Sequence, residues 1–416
     1  MAAKVLRAIY RLIVPGGLVL LVSALAMESR MSEGVAASFW HFYPYVIFGI
    51  GLLLSALFNC SRLFFALLVV ALSDRALFWL VPRLSSAGIH QIIFDAIALL
   101  LPLNLLAFSF MRDRGIISPR GRRRVAFIAA QVAFVGMVVL IQPLQVRAAG
   151  LMQGKIIPKG YSEWSHLSQP ALLVFVVTGI VMLVYLLDRR RPVESGLFWA
   201  LVTAFIALNA GGANHFSSVY FASGGLILGI AVLETSYTMA YHDDLTQLPS
   251  RRALNQALMK VGDAYTVAMV DVDHFKQFND TYGHETGDQV LRMIASRLAD
   301  VTGGGKAYRY GGEEFAVIFS NKSADEAFLS LETLRKKIES TPFKVRGAER
   351  RERRKRPTKR AARPRIHAKK RVRVTVSIGA ASSHGDARPS DEVIQSADKA
   401  LYRAKASGRN CTVVSG

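Results

Sequence analysis

The hydrophobic residues of this chain follow two regimes, and the change between them falls near Thr235. Before it, apolar runs long enough to cross a bilayer as helices alternate with polar joints. Eight such runs are readable, at 12–27, 39–58, 63–81, 91–110, 125–144, 170–187, 197–210 and 219–232. The pattern predicts a multi-domain chain. An all-α transmembrane bundle of about eight helices occupies residues 1–235, a short linker covers 236–243, and a mixed α/β domain covers 244–416.

Within the second region the periodicity predicts a helix at 251–261, a strand at 265–272, and a helix at 287–299. A hairpin around Gly311 and Gly312, a helix at 324–340, a strand at 372–378 and a helix at 389–405 follow. The Gly-Gly pair between YRY and FAVIF reads as a two-residue turn, because glycine tolerates the positive φ that such turns demand.

Charge adds an orientation. The chain has 416 residues, a formal net charge of +22 and 51% hydrophobic residues. Lys4, Arg7 and Arg11, the loop with Arg112, Arg114, Arg120 and Arg122 to Arg124, and the loop Arg189 to Arg191 share one side if eight helices alternate. Short basic loops mark the cytoplasmic side, so the chain is expected to be a multi-pass protein of the cytoplasmic (inner) membrane with its C-terminal half inside. The basic start followed by SALA also fits a signal peptide, but a bundle of further spans needs no cleaved leader.

Two features stand apart. Residues 344–371 carry a run of Lys and Arg that supplies more than half of the net charge, and its composition predicts a disordered insertion. Contact with anionic lipid ranks level with plain solvation for it, whereas nucleic acid is disfavoured because no aromatic residue interleaves the charges. Asp74 and Arg75 fall inside an apolar run, where charges either serve function or hold helices together. With only Cys60 and Cys411, no disulfide framework or zinc site is indicated.

The chemistry concentrates in RYGGEEF, which sets Glu313 and Glu314 side by side in a basic chain. Adjacent carboxylates repel, so a strongly positive partner is expected. Asp271 and Asp273, ending the apolar strand YTVAMVDVD, share a face by alternation. Alternation also separates Glu313 from Glu314, making one the better ligand. A few hard oxygens with room for phosphate oxygens describe a Mg²⁺ site rather than zinc or an all-protein calcium cage. Taken alone, Asp288 reads as a helix cap.

In order along the chain, DDLTQLPSRRAL, DVDHFKQFNDTYGHETGD, RYGGEEF, VTVSIGA and ADKALYRAKASGRN resemble the GGDEF family of diguanylate cyclases. The resemblance covers residues 240–416 apart from the basic insertion. It implies a polymerase-palm-like domain with a central antiparallel sheet flanked by helices. That domain condenses two GTP molecules into cyclic di-GMP and pyrophosphate, as a homodimer with one nucleotide per partner. It further implies two Mg²⁺ ions per active site, with Mn²⁺ as a substitute. By position, Asp271, Glu313, Glu314 and the carbonyl of Val272 match the metal ligands, and Glu313 also matches the proton acceptor. Lys276 matches a catalytic lysine near the phosphates, while Lys405 and Arg409 match residues gripping the β- and γ-phosphates. Asn279 and Asp288 match the pair that recognises guanine, with Phe275 and His284 lining the same pocket. The competing expectation is a non-catalytic membrane receptor or scaffold that keeps the fold to bind GTP.

Two departures matter. Ser250 stands where asparagine is common in the family. More consequentially, the position of the family's inhibitory RxxD site reads TGGG, Thr302 to Gly305, and the nearby Arg297 and Asp300 lie upstream as a surface pair. Initial rates of the purified protein should therefore stay unchanged as cyclic di-GMP is raised into the low micromolar range. Inhibition that saturates there would contradict this expectation.

Overall fold

Where apolar side chains fill nearly every position, a helix is the conformation that satisfies all backbone polar groups internally. The computed structural model describes residues 14–28, 35–84, 86–152, 154, 164–189, 191–211, 215–344, 371–383 and 389–415. It divides into two units, Met1–Tyr237 and Thr238–Gly416.

The helices of the first unit are α1 (Gly16–Glu28), α2 (Val35–Leu57), α3 (Ser61–Arg75), α4 (Ala87–Phe110), α5 (Pro119–Leu140), α6 (Gln142–Met152), α7 (Gln169–Arg189), α8 (Pro192–Asn209) and α9 (His215–Tyr241). α3 continues through a π turn, Ala76–Leu80, and a 3-10 turn, Val81–Arg83. Among the described residues, six helical segments are long and apolar enough to cross a membrane, and Gly16–Ala26 and His41–Leu57 are shorter apolar stretches. The eight expected runs thus resolve as six of spanning length and two shorter ones. The run expected at 125–144 ends early. Ile141 is extended, and Pro143 stands in the first turn of the separate helix α6, where its missing N–H costs no hydrogen bond.

Among the described residues, two ion pairs lie inside this unit. Asp74 is almost fully buried and accepts from Arg75, whose guanidinium also donates to Ser218 Oγ at 2.6 Å and lies 4.4 Å from the Tyr45 ring centroid. Arg62 joins Glu194 at 3.1 Å and closes the end of α4 by donating to the carbonyls of Phe108 and Ser109. The outer faces stay apolar: α7 exposes Val176, Val177, Ile180, Val184 and Leu187.

The second unit holds α10 (Arg251–Leu258), α11 (Phe275–Tyr282), α12 (His284–Ala299), α13 (Ala324–Glu339) and α14 (Ser390–Ala406). Its strands are β1 (Tyr265–Val272), β2 (Lys306–Arg309), β3 (Glu314–Ser320), β4 (Phe343–Lys344), β5 (Arg371–Val372), β6 (Val376–Ser383) and β7 (Thr412–Val414). The main sheet has the order β2-β3-β1-β6-β7. It is mixed rather than antiparallel throughout, because β7 pairs parallel to β6. The strand expected at 372–378 is divided between β5 and β6, and β6 runs on to Ser383. Most of the basic insertion lies outside the described residues. Its ends, Lys344 and Arg371, pair in a two-stranded ladder.

Every residue of β1 is buried, which explains its unbroken apolar sequence. Val267 and Met269 face one way, toward a cluster with Leu254, Ala397 and Leu401, and Ala268 and Val270 face the other, toward Leu291, Ile294 and Leu331. The glycine of VTVSIGA fixes the nearer layer. A Cβ on Gly379 would lie 1.9 Å from Leu401 N and 2.3 Å from Ala397 O, so α14 rests on the strand backbone.

Replacing that glycine must push α14 off the sheet. We expect Gly379→Ala to destabilise the unit by roughly 1–3 kcal/mol or more, the usual cost of overpacking. Thermal unfolding of the full chain, followed by proteolytic susceptibility of the C-terminal unit, should fall by several degrees, and an unchanged midpoint would refute the packing argument.

Candidate active site

The site forms where β1 stops being apolar. Asp271 is only 5% exposed, and its Oδ2 lies 2.9 Å from Lys405 Nζ on α14. In the β1/β3 register Asp271 is opposite Glu314, so their side chains share a face. Glu313 is in the turn between β2 and β3, and its carbonyl accepts from Val272 N at 3.3 Å. Burial pushes the Asp271 carboxyl above its usual range, against the opposing pull of Lys405. Burial also raises Glu313, and the charge of Asp271 adds to that shift. The two carboxylates are therefore close enough to repel, and Lys405 is the counter-charge common to both.

The turn is not the two-residue, positive-φ hairpin that its glycines suggest. Tyr310, Gly311, Gly312 and Glu313 separate the strands, and neither glycine has positive φ. The turn closes instead through Tyr310 N and Gly311 N, both donating to Glu314 O at 2.9 and 3.1 Å. A Cβ on Gly311 would approach Glu314 Oε2 to 2.7 Å, a contact that the half-buried Glu314 side chain can relieve by moving. Arg309 braces the loop by donating to Gly311 O at 3.1 Å and Gly312 O at 2.7 Å, and it binds Asp243 Oδ1 at 2.5 Å.

Asp273 is not a partner of Asp271 on a common strand face. It follows the end of β1, and its carboxylate is fully engaged by Ser377 Oγ (2.6 Å), Thr375 Oγ1 (2.7 Å) and Asn410 N (3.1 Å). This anchors the turn after α14, where Gly408, Arg409 and Asn410 all have positive φ. Asn410 is further held by Arg335 and Glu339. The reversal sets Arg409 near enough to stabilise the Asp271 charge.

On the α11/α12 side, Asn279 Oδ1 is buried and has no hydrogen-bond partner. A Cβ on Gly287 would lie 1.8 Å from that oxygen, so only glycine leaves it room. Asp288, half-buried, is the fifth residue of α12, whose cap position is Gly283, so helix capping does not explain it. His284 and Lys276 are exposed. The Phe275 side chain is buried in the core, and its ring lies close to Gly287, leaving only its backbone N–H at the start of α11 to meet a ligand.

Among the described residues, no three His, Cys, Asp or Glu side chains gather as an ion cage. Asp271 and Glu313 are instead two carboxylates under raised proton affinity, a sparse pair of hard oxygen donors that would leave a divalent ion sites for substrate oxygens. The residues the sequence reading missed are Arg309, Asp243, Asp273 in its anchoring role, and Asn410. Their signal was the arginine next to the turn and the asparagine after Gly-Arg, both inside quoted motifs.

Residues 240–354 and 344–411 match the family model described as diguanylate cyclase, GGDEF domain. The chain is 34% identical over 189 residues to the response regulator PleD of Caulobacter vibrioides, covering 44% of this chain and 37% of that protein. It is 35% identical over 154 residues to diguanylate cyclase A of Treponema denticola, covering 37% and 36%. The chain thus spans little more than a third of the length of these relatives. Among solved structures, the coiled coil and GGDEF domain of DgcB from Caulobacter crescentus in complex with c-di-GMP aligns with TM-score 0.37 and 32% identity, over 44% of this chain and 89% of that one.

The Asp243–Arg309 pair generates a test by pH. Burial alone would raise the Asp243 carboxyl, but hydrogen bonds from Thr246 and Arg309 outweigh it and hold the group below its usual range. Its contribution is complete above the unfolded value of about 3.9 and is lost as pH falls through the lower folded value. Asp243→Asn should cost roughly 1–3 kcal/mol near neutral pH. In urea unfolding read by pulse proteolysis, the gap from wild type should shrink below about pH 4. A gap that is independent of pH would refute the assignment.

Proposed function

We propose that the C-terminal unit is a diguanylate cyclase that joins two GTP molecules into cyclic di-GMP and releases pyrophosphate. The first unit would anchor it in the cytoplasmic membrane and carry its regulation. The observation that carries the enzymatic reading is the convergence of Asp271, Glu313 and Lys405 at the end of β1, two proton-hungry carboxylates sharing one ammonium.

Bound Mg²⁺ would neutralise the triphosphate and the charge developing on the departing pyrophosphate. Asp271, Glu313, Glu314 and the Val272 carbonyl are the residues to hold it. Lys405 balances Asp271 in the free protein, and with Arg409 it would serve the β- and γ-phosphates, joined by Lys276 and by the N–H groups opening α11. The 3′-hydroxyl of one nucleotide attacks the α-phosphorus of the other. As the new O–P bond forms, the bond to the β-phosphate oxygen breaks, and the hydroxyl proton passes to Glu313. Its raised proton affinity suits that role.

Guanine recognition falls to Asn279 and Asp288, with His284 at the rim. The carboxylate of Asp288 accepts from the ring N1–H and the exocyclic amine, donors that adenine does not offer there. The unpartnered Asn279 Oδ1 is a second acceptor held ready. Because each unit presents one set of these residues, two copies must meet for two nucleotides to react.

The full chain reconstituted in lipid nanodiscs with GTP and Mg²⁺ should yield cyclic di-GMP, detected by mass spectrometry. Glu313→Gln should lower the rate by about 10²-fold or more, the usual worth of a general base. Asp288→Ala should erode the preference for GTP over ATP. A dimeric wild-type chain that binds GTP and makes no product would favour the receptor or scaffold reading instead.

A further inference from the structure

The first unit contains a cavity of about 550 Å³, inside the range of small-molecule sites. It is lined by the first turns of α4, the end of α5, α6, and the segment leading into α7. The basic loops Arg112 to Arg124 and Arg189 to Arg191 follow the ends of α4 and α7, so the cavity occupies the opposite half of the bundle. In the orientation those loops imply, it lies on the side away from the cytoplasm.

Its walls are mainly apolar, with Leu99, Phe134 and Val138 among them, and one charged side chain enters it. Asp95 is 4% exposed. Its Oδ2 accepts from Gln91 Nε2 at 3.1 Å, whereas Oδ1 is buried and has no hydrogen-bond partner among the described residues. The Ser168 hydroxyl lies beside the Asp95 carboxylate, within reach of it, and also 3.9 Å from Met152 Sδ. Among the described residues, no Lys or Arg lines the cavity.

A half-satisfied carboxylate in such surroundings is costly, and an acyl chain entering from the bilayer would leave the cost in place. What removes it is a donor with positive charge attached to an apolar body. We propose that this cavity is a binding site for a small organic amine, with the protonated nitrogen on Asp95 Oδ1 and the apolar portion against Phe134, Val138 and Leu99. His166, at the rim, adds a polar edge. The effect of such a ligand on cyclic di-GMP output rests on the cyclase reading above, but the binding itself does not.

The test therefore reads binding without turnover. Full-length protein in nanodiscs is titrated with dansylcadaverine, a fluorescent primary amine, and with dansylamide, which has the same fluorophore and no charge. Saturable blue-shifted emission is expected for the amine, with affinity about tenfold or more above that of dansylamide, the scale expected for a desolvated charge pair. Asp95→Asn, nearly the same size, should remove that advantage. Ala149→Phe should fill the cavity and abolish binding, which keeps the test decisive if the Asp95 variant fails to stay monodisperse. Equal affinity for the two probes, undiminished amine binding by either variant, or no saturable binding would overturn the proposal. A chain that binds the amine yet makes no cyclic di-GMP would instead refute the cyclase reading alone.

Discussion

Negative charge held against its own repulsion at the end of β1 is the constraint that organises the second unit. Burial raises the proton affinity of both Asp271 and Glu313, and the charge of Asp271 raises that of Glu313 further. They stay together because three separate devices fix their surroundings. Lys405 reaches Asp271 from α14, and α14 can come that close only because Gly379 has no side chain. Arg309 clamps the carbonyls of the turn that carries Glu313 and ties it to Asp243. Asp273 fixes the reversal after α14 through Asn410, which keeps Arg409 in range. The motifs are separated in sequence, but each holds one side of the same electrostatic problem.

That division explains what was legible in the sequence. β1 could be read at its true bounds because both faces are covered and the six residues before Asp271 carry no charge. The acidic residues were legible because a carboxylate pair in a basic chain needs a reason. The turn was misread because glycine was credited with positive φ, which neither Gly311 nor Gly312 adopts. β7 and α11 were missed because three and eight residues carry too little periodicity, and the parallel pairing of β7 follows from the crossover through α14 rather than from any local pattern. Arg309 and Asn410 act through backbone carbonyls and a distant carboxylate, partners that only the folded chain brings near.

The first unit obeys the same rule in an apolar setting. Two charges there find partners inside the bundle, Arg62 with Glu194 and Arg75 with Asp74. Arg62 also takes up two carbonyls at the end of α4, so one guanidinium closes a helix terminus and offsets a carboxylate. Hydropathy located the helices, since it responds to the absence of polar residues. It did not locate the break at Ile141, because the apolar run continues across it.

The TGGG loop shows how a backbone limits the side chains it can carry. Gly303 and Gly304 have φ of +71° and +79°, a region that side chains disfavour. A Cβ on Gly303 would meet Ser330 Oγ at 2.4 Å, and one on Gly305 would meet the Phe319 ring and Val301 at 2.8 Å. Restoring an arginine at Thr302 is sterically simple, because that residue is exposed. An aspartate at Gly305 would have to displace Phe319, a fully buried member of the core beneath β3. The RxxD pattern therefore cannot be regained here one residue at a time. Its loss is built into the path that carries the chain from α12 into β2, the strand that delivers Arg309 to the catalytic turn.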